Sequence, residues 1–141
     1  MRTISTTDLA HRLRPVLTRL ARRMRQEANG DLTPTQVAAL ATISRFGPLT
    51  PSELASREKI QRPTATRVLA LLEERGLVAR TADPSDRRSS LVAATPVGLE
   101  LLDAVRERKD AFLALRLETL SPEDLVILDR AAEILERVLD E

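Results

Sequence analysis

Two short runs carry side chains able to recognise a polyanion: Gln61-Arg62-Pro63-Thr64-Ala65-Thr66-Arg67 and Asp86-Arg87-Arg88-Ser89. Arginine can bridge the paired acceptors on the edge of guanine, and glutamine the donor–acceptor pair of adenine. Threonine offers a hydroxyl or a methyl group. The same guanidinium groups supply sequence-independent attraction to phosphate. An arginine at a tight turn can also enter a narrow minor groove. Asp86 beside Arg87 and Arg88 is expected to orient an arginine, because an unpaired carboxylate facing phosphate would cost affinity. Arg57, Lys59 and Arg75 read as phosphate contacts or solvent-facing charges. Neither run is decisive by itself. Exposed arginine and threonine occur on any solvated helix, and Arg87-Arg88 also fits an ordinary charged surface turn.

The elements around these runs give them weight. Leu9, Leu13, Val16, Leu17, Leu20 and Met24 recur at helical spacing, which predicts a first helix after Thr7 with one buried apolar stripe, ended by Asn29-Gly30-Asp31. Thr33-Pro34-Thr35-Gln36 is a capping box. It opens a helix through Val37, Leu40 and Ile43 to Phe46, where Gly47 suits a left-handed stop. Thr50-Pro51-Ser52-Glu53 repeats the start signal for a short helix that buries Leu54 and Ala55. A fourth helix is predicted from Gln61 or Arg62 to Gly76, with Val68, Leu71 and Leu72 inward and Arg62, Thr66 and Arg67 elsewhere on the cylinder. Leu77–Arg80 and Ser90–Ala93 read as strands around the turn Asp83-Pro84-Ser85-Asp86-Arg87-Arg88, which puts both arginines at a hairpin tip. Thr95-Pro96 starts a long helix with Leu101, Leu102, Val105, Phe112 and Leu113 on its apolar side. Ser121-Pro122-Glu123-Asp124 starts the last helix, striped by Leu125, Leu128, Ala132, Leu135 and Val138.

Helix, turn, helix, strand, basic hairpin, strand is the order of a winged helix-turn-helix. The expected fold is mainly α with a small β-hairpin wing, a single domain over residues 1–141. Residues 31–95 would form the DNA-binding region and residues 1–30 and 96–141 the flanking dimerisation helices. The apolar surface of the flanking helices exceeds what a minimal winged helix needs, and a second copy on a two-fold axis is its simplest partner.

Composition narrows the alternatives. The chain has 141 residues, no cysteine and one histidine, so disulfides, thiolate metal sites and thiol oxidation sensing are excluded. A zinc site is not expected, nor any cofactor. No glycine-rich phosphate loop or cysteine nucleophile is present, and only His11 could serve as an imidazole base, which argues against an enzyme. The polar, arginine-rich start does not resemble a signal peptide and no apolar run spans a bilayer, so no membrane is implied and the cytoplasm is the expected location. Net charge is only +1, but it is unevenly spread. Residues 1–29 carry +5, residues 57–90 carry +3 and residues 91–141 carry −6. The acid is thus kept away from the proposed reading element.

The run Arg62–Arg67, then Leu71-Leu72-Glu73, Gly76-Leu77-Val78, Asp83–Arg88 and Thr95-Pro96-Val97-Gly98, resembles the MarR family of bacterial regulators across nearly the whole chain. The resemblance implies a homodimer whose first, fifth and sixth helices interlock, reading a pseudo-palindromic double-stranded operator. It also implies that Asp86 and Arg88 form the wing motif that positions a minor-groove arginine. Gln61 stands where relatives often carry a small hydroxyl residue, a change that weakens capping and alters base preference. The family is usually a repressor relieved by a small anionic or phenolic effector lodged between the dimerisation and DNA-binding parts. Candidates for holding it are His11, Arg14 and Arg45, although a lone histidine on an arginine-rich helix is more often solvated. With Phe46 and Phe112 the only aromatics, a stacking pocket is poorly supplied. A winged-helix protein-interaction module and a ligand-independent DNA-binding regulator are the readings weighed against this one.

Overall fold

The computed structural model describes residues 2–140. It consists of α1 (Thr6–Ala28), α2 (Pro34–Phe46), α3 (Pro51–Glu58), α4 (Arg62–Glu74), β1 (Val78–Asp83), β2 (Asp86–Ala94), α5 (Pro96–Leu117) and α6 (Pro122–Leu139). The winged helix-turn-helix is therefore present, in the expected order. No helix among the described residues is long and apolar enough to cross a membrane.

Helix starts follow local chemistry. Ser5, Thr33, Thr50, Thr95 and Ser121 each sit in extended backbone and accept a hydrogen bond from the amide three residues on. Four of those helices then begin on proline, which lacks the amide that would be unpaired there. At Thr33 the box is complete, because Gln36 Oε1 accepts from the Thr33 amide at 2.9 Å. The first helix starts two residues earlier than expected, since Ser5 rather than Thr7 supplies the cap.

The core lies between α2, α4, the base of the hairpin and the first half of α5. Leu40, Ile43, Leu54, Leu69, Leu72, Val92 and Val105 are its largest fully buried side chains. Burying each of these stabilises the fold by about 1.5–3 kcal/mol. Leu49 hydrogen-bonds Val92 in both directions, at 3.0 and 2.7 Å, and so adds a one-residue edge to the two-stranded sheet.

Three expectations are corrected. Gly47 is extended (φ −71°, ψ 165°), not left-handed. Glycine is required there for room, because a Cβ would lie 2.4 Å from the Ile43 carbonyl oxygen. The apolar stripe of α1 is not buried within one chain: Leu9, Val16 and Leu17 are exposed, and Leu13, Leu20 and Met24 only half-buried. In the single chain α1 packs mainly on α5, which covers only part of the stripe. The strands are also longer than expected, and the hairpin tip is Pro84-Ser85 rather than the arginines.

Candidate nucleic-acid interface

α4 is set by its rear face. Ala65, Val68, Leu69 and Leu72 are buried and Leu71 is half-buried, which leaves Gln61, Arg62, Pro63, Thr66 and Arg67 exposed and Thr64 half-buried. α3 anchors beneath it through Leu54 and Ala55. Gln61 occupies the N-cap position but makes no side-chain cap, so the first-turn amides keep their positive end open. That end suits an anion. The Thr66 hydroxyl donates to the Arg62 carbonyl at 3.0 Å, a bond within the helix itself. Arg67 Nη2 reaches the Thr64 hydroxyl at a long 3.5 Å, so little holds this guanidinium in place.

The wing projects its arginines through a register break. Val78 to Ala82 pair in step with Ala94 to Ser90, but the next pair is Asp83 with Asp86. Arg87, Arg88 and Ser89 therefore have no partner on β1 and bulge out of the ladder. Both arginines are exposed, and neither forms an ion pair among the described residues. The Asp86 carboxylate accepts from the Arg88 backbone amide at 2.9 Å, so it shapes the chain at Arg88 instead of neutralising the guanidinium. Asp83 accepts from the Ser85 hydroxyl at 2.7 Å and the Ser85 amide at 3.0 Å. These bonds, the hydroxyl's foremost, hold the Asp83 carboxyl below its ordinary pKa.

Two straps fix the wing and α4 to the body. Arg80 Nε meets Glu73 at 2.7 Å while its Nη1 donates to Ser90 at 3.1 Å, joining β1, β2 and α4. Arg75, at the C-cap of α4, pairs with Asp31 through two 2.9 Å contacts. The hydrogen bond between the two, then the charge of the opposite partner, lowers the Asp31 pKa and raises that of Arg75. Arg75 is thus engaged within the chain. Arg80 was not singled out in the sequence, where a strand arginine carries no mark of the helix it will meet.

Residues 32–90 match the MarR family profile. An HTH-type transcriptional regulator of Mycobacterium bovis is 36% identical over 97% of this chain and 96% of its own length. The chain belongs to the MarR family. The crystal structure of a transcriptional regulator from Pseudomonas aeruginosa PA01 superposes with a TM-score of 0.85 at 31% identity, covering 99% of both chains. The HTH-type transcriptional repressor NicR of Pseudomonas putida is 32% identical over 71% of this chain and 64% of its own length. As a MarR-family member the protein is a DNA-binding transcriptional regulator and not an enzyme.

The residues considered for an effector are not gathered in one place within this MarR chain. His11 and Arg14 flank a shallow hollow on the outer face of α1, with Thr6, Thr7 and Ala10. Arg45 lies at the end of α2, its guanidinium 5.1 Å from the Phe46 ring centroid, and Arg57 from α3 stacks closer, at 3.9 Å. That pairing of α2 with α3 had no signal in the sequence. A second cationic concavity, also unmarked, runs between α1 and α5, where Arg19, Arg22, Arg23 and Arg116 surround Phe112.

Proposed function

We propose that this protein is a homodimeric repressor acting in the cytoplasm on a pseudo-palindromic operator. In this reading the α4 N-terminus enters the major groove, with Gln61, Arg62, Thr64, Thr66 and Arg67 at the base edges and Pro63 setting the helix start. Arg87 and Arg88 reach the adjacent minor groove, shaped by Asp86 and flanked by Ser89. The observation that carries this is the bulge of Arg87–Ser89 beside an uncapped, arginine-bearing helix start, both held by straps to one body. Residues 1–30 and 96–141 supply the dimer. In support, α6 has no buried residue in the single chain and exposes Leu125, Val126, Ile127, Leu128, Ile134 and Val138. An apolar helix of this kind, beside the uncovered stripe of α1, is what an interface between two copies would cover. Repression is favoured by the likeness to NicR, a protein named as a repressor. Relief by a small anionic or phenolic effector belongs to the same reading.

The test is a titration against the intergenic DNA beside its own gene, with random-sequence competitor, at two salt concentrations, alongside sedimentation analysis. Competitor-resistant binding by a dimer with a steep salt slope supports the proposal. A monomer, or weak sequence-indifferent binding, favours an interaction module instead.

A further inference from the structure

The arginines of α1 gather on the side of the helix away from its apolar stripe. At about 100° per residue, Arg22 points directly away from Leu13. Arg12, Arg14 and Arg19 fall within about 80° of Arg22. All four are exposed, and together they span about 15 Å of helix axis. Asp8, in the first turn, is the one carboxylate of α1 on this side, since Glu27 lies toward the stripe. None of the four arginines forms an ion pair among the described residues. Arg19 Nε donates to the Pro15 carbonyl at a long 3.4 Å, a bond within α1 itself. The later helices treat their arginines differently. Arg106 pairs with Asp103 in α5 at 3.2 Å, and Arg130 with Glu133 in α6 at 2.8 Å, each three residues apart. Charges that keep a helix soluble alternate in sign in this way. Like charges three or four residues apart weaken a helix, and α1 sets Arg19 and Arg22 at that spacing.

We propose that this face of α1 holds a second segment of duplex DNA by its phosphates, in addition to the DNA met by α4 and the wing. The partner follows from charge. Residues 1–29 carry +5 and residues 91–141 carry −6, so the cationic surplus is confined to this helix and its lead-in. A duplex presents one negative charge per about 1.7 Å, or about nine along the length of this face, enough for each of the four guanidiniums to meet a phosphate. Phosphate contacts carry no sequence information, so the second segment can have any sequence. The face is free for such a partner. α5 packs against α1 from the stripe side, and a second copy covering the rest of the stripe approaches from there too. One protein molecule then joins two duplexes, or two segments of one. The inference needs neither repression nor an effector, and it holds equally for a regulator without a ligand.

A bridging assay tests this. Beads carrying one random-sequence duplex are mixed with the full-length protein and a second, fluorescent duplex. The unmodified protein should retain the fluorescent duplex. The quadruple variant Arg12→Gln/Arg14→Gln/Arg19→Gln/Arg22→Gln should lose it while still binding the bead DNA through α4 and the wing. Anisotropy then isolates the face. In an Arg67→Ala/Arg88→Ala background, binding to a random duplex should persist. Adding the four substitutions should lower the slope of log K against log salt by about 3.6, at about 0.9 counterions per phosphate. Each half, Arg12→Gln/Arg14→Gln or Arg19→Gln/Arg22→Gln, should lower it by about 1.8, which decides the matter if the quadruple variant does not fold. Thermal unfolding and sedimentation accompany every variant. No retention of the fluorescent duplex by the unmodified protein overturns the proposal, as does an unchanged slope in both half variants. Loss of random-duplex binding in the Arg67→Ala/Arg88→Ala background also overturns it, and leaves the operator reading standing. Dissociation of a dimer in the arginine variants would assign the face to the acidic α6 of a second copy. Capture of phosphatidylserine vesicles in place of the second duplex would assign it to a lipid surface. Either result overturns the proposal.

Discussion

Arg88→Ala tests the wing most directly. The Arg88 side chain is exposed and lies in no ion pair among the described residues; only its backbone amide is engaged, by Asp86 at 2.9 Å. Truncation therefore leaves folding stability within about 0.5 kcal/mol. DNA binding should respond differently. A dimer loses two cationic contacts, and with about 0.9 counterions released per neutralised phosphate the slope of log K against log salt should fall by about 1.8. Over an approximately fourfold rise in salt, from about 50 to about 200 mM, the unmodified protein should lose about twelvefold more affinity than the variant. Fluorescence anisotropy on a labelled operator fragment measures both slopes, and sedimentation confirms that the dimer survives. An unchanged slope and affinity would remove the wing from the mechanism. Reduced affinity at an unchanged slope would refute the charge argument and leave Arg88 acting only through shape.

Arg67→Ala should cost about 1–3 kcal/mol at one base position and relax preference there, measured across operator variants; a uniform loss would make Arg67 a phosphate contact. Gly98→Ala should lower stability by about 2 kcal/mol in urea unfolding, although alanine favours helix by about 1 kcal/mol. Its Cβ would lie 2.2 Å from the Leu77 carbonyl oxygen and 3.3 Å from Leu40 Cδ1. An unchanged midpoint would show that the start of α5 shifts freely. Asp31→Asn probes the strap at Arg75. The Asp31 pKa is lowered in the fold from its ordinary 3.8, so its contribution is present above that value and lost as pH falls through the lowered one. The small gap in urea midpoint between the two proteins should therefore close in acid, and a gap undiminished at about pH 2 would exclude the ion pair as its source.

What could be read from the chain was what the chain encodes locally. Ser or Thr followed by Pro marks a helix start within four residues, and five of the six helices begin on a side-chain cap of that kind or on Ser5. The apolar spacing of α4 identified Val68 and Leu72 correctly, and with them the exposed edge bearing Arg62, Thr66 and Arg67. Leu69, fully buried, was missed, because the inward face of a helix with core on both sides is broader than one stripe. Contacts between distant segments left no trace in the sequence. Arg75 meets Asp31 across 44 residues and Arg108 meets Ala28 across 80. Gly47 was misread because a glycine needed for close approach looks the same as one needed for a left-handed turn. The α1 periodicity was real, but a stripe records that it will be covered and not by which chain.

The wing has one further property. Residues 81, 82 and 84–88 are exposed, and the turn is held by Asp83 with Ser85 and by Asp86 with Arg88, without help from the core. A segment that organises itself is interchangeable. Its length and charge can drift in evolution, or be grafted in design, from the fixed points Arg80 and Ser90 outward, at little risk to the folding of the remainder. α4 has less liberty, since its exposed positions are interleaved with Ala65, Val68, Leu69 and Leu72, which are packed into the interior. Changes of length and charge in this scaffold are therefore most cheaply accommodated at the wing, with the helix as the conservative partner.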